Sequence, residues 1–335
     1  MEPPVSTNHG ATVINAAIVQ TKPRKGRYDE NLADLASAFE QLGGMDPVPD
    51  LVVLPEAALT GYFLEGAVYE LARSSAEIAR DLAGAWKKAN GSKAVDVVCG
   101  FYENCEGTYH NSSLYLRIEG RSHEIVHVHR KMFLPTYGVF DEERFLSRGR
   151  RLQTFDTRFG RAAMLICEDV WHAIMPTIAA IKGARFLIVP SAAPGRGIEE
   201  DDELGSIARW REILQTTAAE HGVFIIYAGL AGFEGGKGMT GNSCVVDPHG
   251  RTVVRAPALG AHVIRARLDM REIDLARAAL PLLGDLNAVL PDLLLDDELP
   301  LPYRDYQRHP EVSSHPEVSC HPEVSRGPEE SKGKT

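Results

Sequence analysis

Ala162–Trp171 reads AAMLICEDVW, an apolar run that delivers Cys167 at its end, followed by the acidic pair Glu168-Asp169 and the start of a helix. Ala162–Cys167 is too short and too uniformly apolar for a surface helix and is predicted to be a buried strand. A strand leading straight into a helix is the building unit of an α/β fold, whose sheets are covered by helices. Cysteine at such a junction can gain thiolate character, because the N–H groups of a helix start favour negative charge. The adjacent carboxylates oppose that effect, so a cation from elsewhere has to compensate. Taken alone, Cys167 reads more readily as a buried core residue than as a nucleophile.

The same alternation extends in both directions. Upstream, Thr12–Gln20, Leu51–Leu54 and Ala94–Phe101 are predicted strands. Helical spacing runs over Tyr28–Leu42, and a second helix is predicted over Ser74–Asn90 with a serine cap at its start. Ser112–Ile118 and Glu124–His129 form a hairpin across Gly120. Downstream, helices are expected over Trp171–Lys182, Ser206–His221 and Met270–Leu280. The strands there are Phe186–Val189, Val223–Tyr227, Asn242–Asp247, Thr252–Arg255 and His262–Leu268. The hairpins make the sheet mixed rather than purely parallel.

Two further strand ends carry chemistry. Leu51-Val52-Val53-Leu54-Pro55-Glu56 puts a carboxylate directly after a buried strand, where α/β sheets bind ligands. In a partly desolvated cleft such a carboxylate has a raised pKa and works as a general base. Lys131, after the strand Glu124–His129, supplies the missing cation, and its ammonium could stabilise an oxyanion. Singly, Glu56 reads as a loop acid and Lys131 as a surface charge; together with Cys167 they suggest one cleft.

Composition sets the outer limits. The 335 residues are 44% hydrophobic and 24% charged, with a net charge of −10, which argues against a basic face for nucleic acid or anionic membrane. No stretch reaches the length of apolar residues that a spanning helix needs, and the first residues lack a signal peptide, so a cytoplasmic location is expected. Five cysteines without a CxxC pair suggest neither a disulfide framework nor a zinc site. From His309 the sequence repeats HPEVSS, HPEVSC, HPEVSR, too poor in large apolar groups to fold, and its histidines read as solvated rather than metal-binding. The expected organisation is a flexible N-terminus (1–10), a catalytic body (11–285), a connector (286–308) and a disordered tail (309–335).

Glu56 in LPEAALTGYF, Lys131 in HRKMFLPTYGVFDEERF and Cys167 in LICEDVWH resemble the Glu-Lys-Cys triad of the nitrilase (carbon-nitrogen hydrolase) superfamily, in the same order. Pro190-Ser191-Ala192, Trp210 and the segment from Gly241-Asn242-Ser243 to Asp247-Pro248-His249-Gly250 add to the likeness. The runs YGVFDEERF and LICEDVW are most similar to the glutamine-hydrolysing domain of glutamine-dependent NAD synthetases. Those enzymes carry an ATP-using domain with an SGGxDS-type loop, and nothing similar follows Asp285, so a stand-alone amidase is expected.

The resemblance implies a four-layer αββα sandwich and cofactor-free, metal-free hydrolysis of a small carboxamide through a cysteine thioester. It makes Cys167 the nucleophile, Glu56 the general base and Lys131, with the N–H after Cys167, the oxyanion donor. A second glutamate is carried over to Glu142, with Glu143 its rival. Tyr62, Tyr137, Glu168, Trp171 and Ser191 are the substrate-pocket candidates. Glu168 and Asp169 could hold an amino group or merely complement the helix start. The resemblance also implies a homodimer or larger homo-oligomer. The competing functions are a nitrilase and, in a different class, a catalytically idle scaffold.

Overall fold

A computed structural model describes residues 12–197 and 204–295. The segments 1–10 and 309–335 lie outside the described residues, as does the connector from 296 onward.

Two six-stranded mixed sheets stack face to face. The first is ordered β14-β1-β2-β3-β4-β5, from β1 (Val13–Gln20), β2 (Leu51–Val53), β3 (Val95–Cys105), β4 (Thr108–Glu119), β5 (Ser122–Arg130) and β14 (His262–Asp269). The second is ordered β13-β12-β9-β8-β7-β6, from β6 (Phe155–Thr157), β7 (Gly160–Met164), β8 (Phe186–Ser191), β9 (Phe224–Gly229), β12 (Cys244–Val246) and β13 (Thr252–Arg255). In each, the central three strands run parallel and the flanking strands antiparallel. A separate hairpin, β10 (Ala231–Glu234) and β11 (Lys237–Thr240), belongs to neither.

Side-chain alternation assigns the layers. Along β1, Ile14, Ala16 and Ile18 face the other sheet, while Ala17 and Val19 face helices. Along β8, Phe186 and Ile188 point between the sheets, and Leu187 and Val189 point outward under helices. Both faces of these strands are buried, which is why they read as continuous apolar runs. Helices α1 (Tyr28–Gly43) and α3 (Ser75–Asn90) cover the first sheet through Leu35, Phe39, Leu82 and Trp86. The second is covered by α5 (Ile174–Ile181) and α6 (Gly205–His221) through Met175, Ala179, Trp210 and Leu214. The result is the αββα sandwich. Each fully buried Val, Leu or Ile contributes roughly 1.5–3 kcal/mol to that layering.

Three expectations change. The predicted helix Trp171–Lys182 is two pieces, α4 (Glu168–Trp171) and α5, broken at an extended His172. Pro176, in the first turn of α5, has no N–H to return to the His172 carbonyl, which weakens a continuous helix at this point. The strand predicted over Ala162–Cys167 leaves regular pairing at Met164. Finally, α8 (Leu282–Leu295) crosses the boundary drawn at Asp285, and it follows α7 (Arg271–Ala279) after a short break. A short helix α2 (Val68–Leu71) completes the set.

Candidate active site

The C-terminal ends of β2 and β5, from one sheet, meet the end of β7 from the other. They bring Glu56, Lys131 and Cys167 to one buried locus, exposed 0%, 1% and 7% respectively. Lys131 Nζ donates to Glu56 Oε1 at 2.9 Å and to Glu142 Oε1 at 2.8 Å. Glu142 is buried in a short 3-10 turn, whereas Glu143 beside it is exposed. Glu56 Oε2 accepts the Ala192 N–H at 2.7 Å, and Ser191 Oγ donates to Cys167 Sγ at 3.3 Å.

The backbone holds this cluster in place. Cys167 itself sits at φ 47°, a conformation costly for a residue with a Cβ, and Ala57 after Glu56 is at φ 51°. Strain of this kind persists only where the surroundings over-determine it. At Cys167 the restraints are its own N–H to Pro190 O (2.9 Å) and the Ile166 N–H to Asp169 Oδ2 (3.0 Å). Lys131 is fixed by its N–H to Asn111 O (2.8 Å) and by its carbonyl, which accepts the Gly149 N–H (2.7 Å). A Cβ on Gly149 would lie 2.1 Å from Arg130 O, and one on Gly100 would lie 2.5 Å from Glu56 Cα, so both approaches require glycine.

Burial, then the Glu56 charge, raises the Cys167 thiol, and Lys131 and Ser191 only partly offset this. Burial and the Glu56 charge thus favour the neutral thiol at Cys167 over the thiolate that a helix start alone suggests. Burial would lower Lys131, but Glu142 and Glu56 together hold it well above its ordinary value as an ammonium. Burial lifts Glu142 to about 6, with Lys131 opposing and Glu56 assisting. Cys99 and Cys244 are also buried thiols, pushed up to about 12 by burial, but neither has a lysine and two carboxylates beside it. That contrast separates Cys167 from a core cysteine.

The pocket candidates divide. Tyr62 is buried, donates its hydroxyl to Glu142 Oε1, and lays its ring 5.6 Å from Lys131 Nζ. With Phe63, Phe140, Glu142, Phe145 and Leu146 it bounds a cavity of about 250 Å³ on the Glu142 side of the cluster. Cys167 does not line that cavity. Ser191 lies under the sulfur, fully buried. Tyr137 is half exposed and donates to both Glu168 oxygens at 3.0 Å, forming a polar pair at the residue after the nucleophile. Trp171, 41% exposed, packs edge-on against Trp210, which in turn packs on Tyr227. Asp169 is wholly buried; Met132 N, Phe133 N, Ile166 N and His129 Nε2 all contact its carboxylate, which leaves it no role in holding a substrate amine.

Asn111 is a site residue that the sequence reading passed over. Its Nδ2 donates to Glu56 Oε1 at 2.7 Å and to Glu142 Oε1 at 3.2 Å, bridging the two carboxylates. The signal was the polar run His110-Asn111-Ser112-Ser113 inside an otherwise apolar strand, where asparagine is disfavoured. Among the described residues no group of three or more His, Cys, Asp or Glu side chains is arranged to hold a metal ion.

Known proteins match the chain that carries this cluster over most of its length. The profile of the carbon-nitrogen hydrolase family matches residues 15–278. Glutamine-dependent NAD(+) synthetase of Thermotoga maritima is 26% identical over 261 residues, 77% of this chain, which spans only 42% of that protein's length. An omega-amidase of Saccharomyces cerevisiae is 27% identical over 278 residues, covering 80% of this chain and 91% of its own. Among solved structures, a carbon-nitrogen hydrolase from Helicobacter pylori superposes with a TM-score of 0.75 at 24% identity, over 85% of this chain and 99% of that one. Matched along most of its length, and folded around a buried Glu-Lys-Cys cluster, the chain belongs to the carbon-nitrogen hydrolase family of the nitrilase superfamily.

Proposed function

We propose that the protein hydrolyses a small carboxamide through a Cys167 thioester, releasing ammonia. The observation that carries this reading is a buried thiol, Cys167, gathered with a carboxylate, Glu56, that accepts from the Lys131 ammonium at 2.9 Å. A neutral thiol needs a base at the moment of attack, and Glu56 takes its proton as the S–C bond forms. The oxyanion is met by the Lys131 ammonium and by the Glu168 N–H, which as the first helical residue of α4 has no acceptor within the helix. Glu56 then passes the proton to nitrogen as the C–N bond breaks and ammonia leaves. Water, deprotonated by Glu56, attacks the thioester; the acid departs and the thiol is restored. Asn111 and Glu142 hold Glu56 and Lys131 in the required register. The NAD synthetases and the omega-amidase among the relatives support an amide substrate in preference to a nitrile.

The test is ammonia release from a panel of amides, nitriles and N-carbamoyl compounds, with Cys167→Ala as control. Amide turnover abolished by Cys167→Ala is the expected result, and turnover that survives it ends the covalent mechanism. Turnover of nitriles alone establishes a nitrilase instead. No turnover, with Cys167 inert to iodoacetamide, establishes the idle scaffold. We also propose that two copies pair through the outer helical face, where Leu275, Leu280, Val289 and Leu293 are exposed. Sedimentation should show a dimer that Leu275→Glu with Val289→Glu dissociates, and a monomeric unmodified chain ends that proposal.

A further inference from the structure

The hairpin β10–β11 stands outside both sheets, yet it carries a buried carboxylate. Glu234, 4% exposed, closes β10 just before the Gly235-Gly236 turn, while its neighbour Phe233 is 71% exposed. Its Oε2 accepts the backbone N–H groups of Tyr62 at 2.8 Å and Phe63 at 3.0 Å, and its Oε1 has no hydrogen-bond partner. Desolvating an ion is costly, so its persistence here needs those two donors. Gly61 makes the approach possible: it sits at φ 77°, and a Cβ there would come 2.8 Å from Glu234 Oε1. From the other strand of the hairpin, Lys237 Nζ lies 4.3 Å from the centroid of the Phe63 ring. Both strands thus grip one dipeptide.

That dipeptide contains the residue touching two members of the cluster. Tyr62 gives its hydroxyl to Glu142 and its ring face to Lys131, and its carbonyl accepts the Tyr102 hydroxyl. We propose that Glu234 is a positioning residue for the hydrolysis: by holding the N–H groups of Tyr62 and Phe63, it keeps the Tyr62 hydroxyl on Glu142. Glu142 and Lys131 thereby stay in register with Cys167. This rests on the amide-hydrolysing reading of the same site.

The titratable groups facing Glu142 are Lys131 from the end of β5, Glu56 from the end of β2, the Tyr62 hydroxyl and Tyr102 of β3, and the neutral Asn111 amide donates to it as well. Near Glu234 the charged group in reach is Lys25. The bond from Tyr62 favours ionised Glu142, so losing it lets Glu142 take up its proton at higher pH.

The experiment measures kcat against pH for the unmodified protein, Glu234→Ala, Glu234→Gln, Tyr62→Phe and the Glu234→Ala/Tyr62→Phe double variant. The rate of Cys167 alkylation by iodoacetamide is followed over the same pH range, because it needs no substrate. Glu234→Ala should lower kcat about tenfold and move the acid limb of both profiles to higher pH. Glu234→Gln keeps a carbonyl acceptor and should recover most of the loss. Tyr62→Phe should reproduce the shift, and the double variant should add nothing to it. An unshifted limb in folded Glu234→Ala, or fully additive effects in the double variant, overturns the proposal. If Glu234→Ala does not fold, Glu234→Asp, one methylene too short to reach both N–H groups, carries the same expectation. Absence of amide turnover in the unmodified protein overturns the amidase reading, and the alkylation profiles then decide on Glu234 separately.

Discussion

Asp169 shows how a carboxylate two residues after Cys167 can serve geometry rather than substrate. It ties the cysteine turn, through Ile166 N, to the lysine loop, through Met132 N and Phe133 N, and contacts His129 as well. Asp169→Asn keeps the shape but replaces one acceptor oxygen with an NH2 that must face donors. Leaving one or two buried N–H groups unpaired costs about 2–4 kcal/mol. A urea midpoint unchanged from the parent would contradict this clip. Glu142 makes a different kind of prediction. Lifted by burial to about 6, it is ionised above that pH and neutral below it. Protonation removes one of the two anions that anchor Lys131, so kcat should fall as pH drops through about 6. In Glu142→Gln that limb should vanish, with kcat lowered by about 10²-fold. A limb retained at the same pH in the variant assigns it to another group.

Among the elements, the helix start at Ser74 was fully legible. Ser74 accepts from Glu77 N at 3.2 Å while Glu77 Oε2 accepts from Ser74 N at 2.8 Å, a reciprocal capping box. Ser74→Ala should cost about 1 kcal/mol, read from thermal melts, without changing kcat. Other elements were legible but unread. Glu234-Gly235-Gly236-Lys237 is a tight-turn signal with both glycines at positive φ, and it would have announced the hairpin that carries Glu234. Glu106-Gly107, at φ 51° and 85°, likewise closes β3 onto β4. The break between α4 and α5 coincides with Pro176 in the first turn of α5. What no local pattern could give was the role of Asp169 or Trp171. Charge and aromaticity close to a candidate site residue look the same whether they face substrate or a neighbouring segment, and only the tertiary contacts of α4, with residues 129–133 through Asp169 and with Trp210 through Trp171, decide. That Glu56, Lys131 and Cys167 come together was readable because each follows the end of a buried strand, where α/β sheets gather side chains.

At the scale of the molecule, the site is divided between the two sheets: Glu56 and Lys131 follow strands of the first, Cys167 a strand of the second. The hydrogen bond from Ala192 N, after β8, to Glu56 Oε2 is one direct tie across that divide. The geometry of the cluster therefore depends on the apolar layer between the sheets, where Ile18, Val53, Val98, Ile188 and Ile226 are at most 1% exposed. Ile226→Ala, at the centre of β9 and far from any reacting atom, should cost about 2–5 kcal/mol through the cavity it leaves. The tryptophans report on both halves, with Trp86 over the first sheet and Trp210 over the second. If one core holds the sheets together, urea should remove tryptophan fluorescence and ammonia release in a single coincident transition. That transition should move to lower urea in Ile226→Ala with its slope unchanged. Activity lost at a urea concentration that leaves the fluorescence untouched would show that the sheets part before either one unfolds, and that the site is held by the loops instead.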